Sequence, residues 1–523
     1  MKRLLFLSIL LITFVLVTPV AGQLAPIQVT NNTYFDFVPQ IAVDPLGNAY
    51  LTWQGDEGDE DAEIFWAKVD PSGTITTVQI TDNTYSDYNP QIAVDASGNS
   101  YLTWVGQAAS EFEIFWASVD PTGIVNVTSL VTNNSYEDHS PQIAIDSSGN
   151  SYLTWFQNES FDDYEIFWAS VNSSGSVSSP TQVTNNTSPD YDPQITTDPS
   201  GNSYLTWYGL DGDDYDIFWA KLNSSGVVTN STQITNNTYY DYCPQIAIDS
   251  LGNSYLTWHG EVGGEDYEVF WAKVDSLGAL TTTQVTDNAY NEGDSQIATD
   301  PSGNSYLTWY GEEGGDDNEI FWAKVDPTGS VTNTTQVTDN TYEDEYPMIA
   351  IDSLGNSYLV WQGEAEEDNP EIFWAGMDPS GAVTDIIRGT DNNDNDEHPQ
   401  IAADPSGISY ITWPGREGGD YEIFFINSVM LFMDAASNKP SPLIFRVLAN
   451  TQLARANSIW NCISENLPGE IPAGFQAMIN EAQIHMANAA SLSNPIYSNG
   501  ELVRAISIME DINKALELNC YYD

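Results

Sequence analysis

Two acidic positions recur at a constant spacing along most of the chain. Carboxylates at fixed intervals can bind cations, act as acid and base, or accept backbone hydrogen bonds that fix a loop. The first position directly precedes an apolar, strand-like segment, at Glu63, Glu113, Glu165, Asp216, Glu268, Glu319, Glu371 and Glu422. The second lies in a polar segment four residues after an Asn, at Asp36, Asp87, Asp138, Asp190, Asp241, Glu292, Asp344 and Asp396.

Calcium binding is the first chemistry that these residues suggest, because calcium prefers carboxylate, amide and carbonyl oxygens. We interpret the second position as candidate calcium ligands and the first as an acidic binding surface. The sequence contains no segment with the ligand spacing of an EF-hand. The alternative remains that both sets of carboxylates hold loops in place.

A sequence repeat determines the spacing of these acids. The segment PQIAIDSLGNSYLTWHGEVGGEDYEVFWAKVDSLGALTTTQVTDNAYNEGD, residues 244–294, is one of eight copies, and successive copies start 51 or 52 residues apart. The copies start at Pro39, Pro90, Pro141, Pro193, Pro244, Ser295, Pro347 and Pro399. A period of this length indicates a solenoid or a propeller.

Each copy contains four short segments rich in β-branched and aromatic residues: QIAID, SYLTW, EVFWAKVD and TTTQVT. Gly, Asn, Asp and Ser separate them, and no segment has a helical period. Four short antiparallel strands in a repeat of this length are typical of a propeller blade. We therefore predict an all-β fold, an eight-bladed β-propeller of four-stranded blades.

The ends of the array predict how the ring closes. The eighth copy loses the pattern after its third strand, Glu422 to Ile426, and a matching fourth strand occurs at the other end of the array, Ile27 to Thr30. If the N-terminal strand completes the last blade, two exposed sheet edges disappear. In such blades the two long connections emerge on one face and the tight Asp-Gly turns on the other, so both acidic positions are expected on the long-loop face.

Tryptophans recur as regularly as the acids. One ends each second strand, as Trp53 does, and seven copies carry another in the third strand, as Trp66 does, with Phe425 in the eighth. Large rings at one strand position in every blade are suited to packing between blades. We expect them in the core.

The segments outside the array predict further domains. Residues 1–22 form a basic start, an apolar run and a small-residue cleavage site, which is the pattern of a signal peptide. The propeller is predicted over 24–430, a linker over 431–441 and a helical bundle of three helices over 442–523. Cys462 and Cys520 are candidates for a disulfide there in an oxidising compartment. No later segment is long and apolar enough to span a membrane.

Charge limits the partners. The formal net charge is −62, and residues 24–430 hold six basic side chains. Such a field repels nucleic acid and anionic membranes and attracts cations and basic partners. Eleven N-x-S/T sequons make the chain a candidate glycoprotein, although these residue types are also common in turns. We predict a secreted or cell-surface protein.

The repeat unit resembles known propeller repeats. The pattern P-x-I-A-x-D-x-x-G-N-x-Y-x-x-W, followed by E-I-F-W-A-x-V-D-x-x-G, is similar to the SBBP-type repeat, and Q-[VI]-T-x-N-x-x-x-D-x-x-P resembles the TolB-type repeat. The resemblance covers residues 24–430 and departs at Ser295 and at Asn393-Asp394. It implies a secreted scaffold or interaction module more than any one activity.

Two functions follow as hypotheses. The first is non-catalytic binding of an extracellular protein, a glycan or a cation through the acidic loop face. The second is a glycan-active hydrolase or lyase that uses carboxylates on the same face. A sialidase-like site would need clustered arginines, and only Arg388 and Arg416 occur in the propeller. The four histidines occupy different repeat positions and form no metal or triad spacing.

Overall fold

The protein forms eight antiparallel sheets of four strands each. The computed structural model describes residues 26–56, 61–108, 111–160, 163–263, 266–312, 317–366, 369–428 and 430–431. Each sheet is one blade, and the strands follow one another within it in chain order. Blade 1 contains β2–β5, each later blade takes the next four strands, and blade 8 contains β30–β32 with β1.

The strands have the following bounds: β1 Ile27–Gln28, β2 Asp36–Val43, β3 Ala49–Asp56, β4 Ala62–Val69, β5 Ile75–Gln79, β6 Asp87–Val94, β7 Ser100–Ala108, β8 Glu111–Val119, β9 Val125–Leu130, β10 Glu137–Ile145, β11 Ser151–Ser160, β12 Asp163–Val171, β13 Thr181–Gln182, β14 Asp190–Thr197, β15 Ser203–Asp211, β16 Asp214–Leu222, β17 Val228–Gln233, β18 Asp241–Ile248, β19 Ser254–Val262, β20 Asp266–Val274, β21 Leu280–Gln284, β22 Glu292–Thr299, β23 Ser305–Glu312, β24 Asn318–Val325, β25 Val331–Gln336, β26 Asp344–Ile351, β27 Ser357–Glu366, β28 Asn369–Met377, β29 Val383–Arg388, β30 Gln400–Ala403, β31 Ser409–Glu417 and β32 Asp420–Asn427.

The blades close into a ring. The first strand of each blade contacts the first strand of the next, from β2 through β30 and back to β2. These eight strands therefore surround the central axis. β1 pairs with β32, with Ile27 opposite Phe425 and Gln28 opposite Phe424. The N-terminal strand thus completes the last blade, as the sequence predicted.

The core lies between neighbouring blades. One cluster joins Tyr50, Ile64 and Trp66 of blade 1 to Leu102 and Trp104 of blade 2, and the other interfaces repeat this arrangement. Both predicted sets of tryptophans are buried. Each aromatic side chain buries about 150–250 Å². Their burial at every interface is the main apolar contribution to the stability of the closed propeller.

The tight-turn face has a repeated hydrogen-bond pattern. The Asp44 carboxylate accepts hydrogen bonds from the backbone N–H groups of Leu46 and Asn48, and from the Tyr50 hydroxyl. Gly47 has a positive φ of 79° at the turn. A side chain there would meet the Tyr410 hydroxyl of the neighbouring blade. These turns are structural, as the sequence indicated.

The innermost strands contain a feature that the sequence did not predict. In blade 1, β2 begins at Asp36, upstream of the expected first residue, and a bulge between Phe37 and Gln40 accommodates Pro39. Val38 takes a left-handed conformation with φ of 52°. A proline normally interrupts a strand because it lacks an N–H group, so the sequence placed Asp36 in a loop. The bulge extends the inner strand and carries Asp36 into the blade.

Several predictions fall outside the described residues. These are the signal peptide, almost all of the linker, the helical bundle, and the cysteines Cys462 and Cys520. Among the residues that the structure describes, no helix combines the length and the hydropathy required to cross a bilayer.

Candidate functional site

The sixteen recurrent carboxylates lie at the junctions between blades, and all are buried. Each has an exposed fraction of at most 5%. Burial removes these side chains from contact with a macromolecular partner. The structure therefore does not give the acidic surface that we expected from Glu63, Glu113, Glu165, Asp216, Glu268, Glu319, Glu371 and Glu422.

The second acidic position is held by two N–H donors. In blade 1, Asp36 Oδ1 accepts a hydrogen bond from the indole Nε1 of Trp53 at 3.0 Å, and Oδ2 accepts one from Asn32 Nδ2 at 2.8 Å. The same pair of donors meets Asp87, Asp138, Asp190, Asp241, Asp344 and Asp396. Each carboxylate thus ties the interblade loop to the second strand.

The first acidic position connects consecutive blades. Glu63 Oε1 accepts a hydrogen bond from the backbone N–H of Asn83 at 2.8 Å, and Asn83 in turn donates to Asp87 of blade 2. Glu63 Oε2 is buried and has no partner among the described residues, as in six other copies. Every junction therefore holds two neighbouring carboxyl groups.

Burial at the junctions changes the acidity of the second position. Loss of hydration raises the pKa of Asp36 to about 7, and hydrogen bonds from Thr30 and Asn32 only partly oppose this. Burial likewise raises the pKa of Asp138, Asp190, Asp344 and Asp396 to about 7, and that of Glu292 to about 8. A buried carboxyl beside a second carboxyl retains its proton more readily.

The calcium prediction gains no support from this geometry. Two N–H donors already approach the two oxygens of each Asp, and a cation would have to displace them. In the described ranges, no group of three or more His, Cys, Asp or Glu side chains is arranged to hold a metal ion. Calcium binding by Asp36, Asp87, Asp138, Asp190, Asp241, Glu292, Asp344 and Asp396 remains a prediction.

A different set of residues surrounds the axis on the long-loop face. One residue per blade, immediately before the Pro or Ser that starts the repeat, has a left-handed backbone with φ of 46–53°. We call these eight residues the mouth ring: Val38, Asn89, Ser140, Asp192, Cys243, Asp294, Tyr346 and His398. The backbone position is repeated, whereas the side chain differs in almost every blade. A fixed frame with variable side chains is what a binding site on a repeat protein requires.

Aromatic side chains beside the mouth ring form one continuous group across blades 2 to 5. Each ring lies 5.2–6.4 Å from the next, measured between centroids. We call it the aromatic arc: Tyr88, Phe112, His139, Phe156, Tyr164, Tyr191, Tyr208, Tyr215, Tyr240, Tyr242, His259 and Tyr267. These side chains are half-buried, and Tyr240 is exposed.

Three strand positions supply eleven of the twelve arc residues, and Tyr240 lies in the connection just before β18. Two of these positions pair with each other. One is the first-strand residue just before the mouth-ring residue, and the other is the residue just after the Trp of the second strand. Tyr191 lies opposite Tyr208 in this way. The third comes from the start of the third strand, where Tyr215 is the second residue of β16. These positions all lie toward the long-loop end of the blade. Burial lowers the pKa of His259 to about 4, so this ring is neutral at pH 7.

The opposite side of the mouth, in blades 6 to 8, is polar and acidic. We call it the acidic sector: Asp294, Glu345, Tyr346, Glu397 and His398. The rings of Tyr346 and His398 meet edge to face with centroids 4.5 Å apart. Burial raises the pKa of Asp294, and the nearby His398 partly opposes that shift. The contact between Tyr346 and His398 thus joins neighbouring blades at the mouth.

Sequence reasoning missed the mouth ring and the arc because no single motif contains them. The predicted sites were the positions with the same residue type in every copy, and the structure buries these positions at the junctions between blades. Two positions that vary between copies carried the signal: the residue before each repeat start and the residue after each second-strand Trp.

Comparison with known proteins identifies no family for this chain. No protein-family profile and no curated protein sequence matches this chain. The polysaccharide lyase Uly1 is a similar solved structure, at 12% identity over 67% of this chain and 90% of that chain, with a TM-score of 0.44. A PL25 ulvan lyase bound to -[GlcA(1-4)Rha3S]- has 12% identity, coverage of 70% and 95%, and a TM-score of 0.41.

The GH93 α-L-arabinofuranosidase of Fusarium graminearum, solved with arabinobiose, is a third similar structure. Its identity is 11%, its coverage is 56% of this chain and 92% of that chain, and its TM-score is 0.37. At these values, nothing about the function of this chain follows from the likeness. The SBBP-type and TolB-type repeats likewise remain a resemblance.

Proposed function

We propose that this chain is an extracellular, non-catalytic glycan-binding propeller whose ligand lies across the mouth ring on the aromatic arc. The supporting observation is the unbroken line of twelve rings along one side of the axis. Sugar rings present apolar C–H faces that pack on aromatic rings, while tyrosine hydroxyls supply hydrogen bonds. A line of such rings suits a polymer better than a single small molecule.

Binding of a glycan also agrees with the rigidity of the frame. Eleven of the twelve arc residues lie on strands, Tyr240 directly precedes β18, and their rings contact one another. A rigid aromatic surface loses little conformational entropy when a ligand binds. The variable mouth ring would supply the selective polar contacts.

The test is a binding screen with the full chain against soluble polysaccharides, followed by a double substitution within the arc. Tyr215→Ala with Tyr242→Ala is expected to weaken binding by about tenfold or more, as loss of central aromatic contacts does. Tyr85→Ala with Tyr342→Ala is the matched control, because both tyrosines are exposed and lie outside the arc. Equal losses in the two variants, or no glycan bound at all, would rule the proposal out.

The acidic sector supports a second candidate, a glycan-active hydrolase or lyase. Asp294, Glu345 and His398 bring carboxyl and imidazole groups together in blades 6 to 8, and burial raises the pKa of both Asp294 and Glu345. A carboxyl with a raised pKa can act as a general acid near neutral pH. The screen should therefore include assays for new reducing ends and for unsaturated products. Turnover that Asp294→Asn abolishes would establish the enzyme instead.

Location outside the cell is part of the proposal and rests on residues 1–22 and the sequons. Expression in a host that exports proteins, followed by mass spectrometry of the secreted product, would show whether residues 1–22 are removed and whether the sequons are glycosylated. Recovery of the whole product inside the cell with residues 1–22 attached would contradict it.

A further inference from the structure

The distribution of positive charge narrows the ligand class. Four of the six basic residues in the propeller lie over tyrosine rings at 4.8–5.5 Å: Lys68, Lys221, Lys273 and Lys324. Those tyrosines donate their hydroxyl hydrogens to the tight-turn aspartates, as Tyr50 does to Asp44 at 3.0 Å. The four lysines therefore belong to the face opposite the mouth.

Little positive charge remains for the long-loop face. Arg388 is engaged by Glu371 at 2.9 Å and by Asp391 at 3.1 Å. Within the described ranges, Arg416 is the one other Lys or Arg in the propeller, and it lies at the end of β31 opposite Tyr421. Anionic sugars are usually held by arginine or lysine. A uronate or sulfate group at the mouth would instead meet carboxylates, which repel it.

Two of the mouth-ring carboxylates lie in the blades on either side of blade 5, where the arc ends. Asp192 and Asp294 are the mouth-ring residues of blades 4 and 6, on either side of Cys243. Asp192 Oδ2 accepts a hydrogen bond from the Tyr208 hydroxyl at 3.2 Å, which fixes that carboxylate against an arc residue. The Asp294 carboxylate accepts no hydrogen bond from the residues that the structure describes, so its oxygens can accept hydrogen bonds from a ligand.

We infer that the ligand is a glycan with free amino groups, a glucosamine-type polymer, with its ammonium groups at Asp192 and Asp294 and its sugar rings on the arc. This inference rests on the proposed function and specifies the ligand class. An ammonium group gains from a partly desolvated carboxylate and also from the faces of neighbouring tyrosines. Burial raises the pKa of both aspartates, and a bound cation would counteract that shift.

The experiment compares two ligands that differ in a single group. Chitosan oligosaccharides carry free amines, and chitin oligosaccharides of equal length carry neutral N-acetyl groups on the same backbone. Calorimetry with the full chain at pH 6 is expected to show about tenfold tighter binding of the chitosan oligomer, the size of effect given by one or two charge pairs at a partly desolvated surface. The difference should shrink as salt is added.

Variants separate this inference from the function on which it rests. Asp192→Asn with Asp294→Asn should weaken chitosan binding by about tenfold and so abolish the preference for chitosan over chitin. Asp82→Asn with Asp339→Asn makes the same change in net charge at exposed sites away from the mouth. This control should change the affinity for neither the chitosan nor the chitin oligomer. Chitin bound as tightly as chitosan, or an unaffected double mouth variant, overturns the inference and leaves glycan binding intact. Absence of binding to any glycan overturns both.

Discussion

Trp53 Nε1 donates a hydrogen bond to Asp36 Oδ1 at 3.0 Å, which joins the middle of the second strand to the start of the innermost strand. Both partners are buried. Six other blades repeat the bond at 2.7–3.0 Å. It explains why an acid and a tryptophan recur together at a separation of seventeen residues.

Blade 6 lacks this bond, and restoring it should stabilise the protein. Glu292 replaces the aspartate there, and the buried Trp309 Nε1 has no partner among the described residues. A buried donor without a partner costs about 1–3 kcal/mol. Glu292→Asp should therefore raise the free energy of unfolding by about 1 kcal/mol or more, measured by chemical denaturation.

The reverse change provides the control for that prediction. Asp241→Glu in blade 5 should displace the carboxylate from Trp258 and lower stability by a similar amount. If Glu292→Asp is destabilising while Asp241→Glu is neutral, the Trp–Asp bond is not a stabilising feature of the junction.

Stability should fall as pH rises from about 4 to about 7. The pKa of Asp36 is 3.8 in an ordinary environment and about 7 in the folded protein, where burial raises it. Between these values the folded state binds more protons than the unfolded state, so raising the pH favours unfolding. Melting temperatures at pH 5 should exceed those at pH 8.

The same measurement should show a loss of stability in stronger acid. Burial acts to raise the pKa of Asp249 in a tight turn, but hydrogen bonds from Asn253 and Tyr255 outweigh it and lower the pKa below 3.8. Its contribution disappears as pH falls through that lowered pKa.

Glu165→Gln, which removes the charge beside Asp190, should flatten the slope between pH 4 and 7. An equal slope in this variant would refute the carboxyl-pair explanation.

The closing strand should depend on one threonine. Thr30 Oγ1 accepts a hydrogen bond from the backbone N–H of Ile423 at 2.8 Å, across the two ends of the propeller. Thr184 makes the equivalent bond to Ile166 at 2.9 Å within a continuous blade. Thr30→Val should increase amide hydrogen exchange along β32 more than Thr184→Val does along β12, because β1 joins blade 8 from the other end of the propeller, whereas β13 follows β12 along the chain and pairs through equally few residues. Equal effects would show that closure has no special weakness.

Backbone strain in the mouth ring should be adjustable. Val38 is β-branched and has φ of 52°, whereas Asn89 has φ of 51° at the same position of the next blade. Asparagine tolerates this conformation far better than valine. Val38→Asn should stabilise the protein by about 1 kcal/mol and Asn89→Val should destabilise it similarly, as measured by urea unfolding. Opposite signs would contradict the left-handed assignment.

Removal of calcium should leave the melting temperature unchanged. The oxygens of Asp190 already accept hydrogen bonds from Trp207 at 3.0 Å and from Asn186 at 2.8 Å. Since those donors occupy the sites that a cation would need, melting with calcium and with a chelator should coincide. A higher melting temperature in calcium would reinstate the metal hypothesis, because a ligand that binds the folded state stabilises it.

The sequence by itself determined the architecture. Its period, its strand patterns and the displaced fourth strand at Ile27 predicted eight blades closed by the N-terminal strand, and the buried Trp53 and Trp66 confirm the predicted core. These features follow from local pattern repeated many times, which a linear chain displays directly.

Only the tertiary structure decided which carboxylates are accessible and which side chains surround the mouth. Asp36 reads as a loop residue before a proline, and its burial depends on a bulge and on an indole from another strand. The arc is assembled from three strand positions in four blades, so that Tyr191 and Tyr215 become neighbours only when the sheet forms. The burial of a side chain and the identity of its neighbours depend on the folded chain, because residues far apart in sequence determine both.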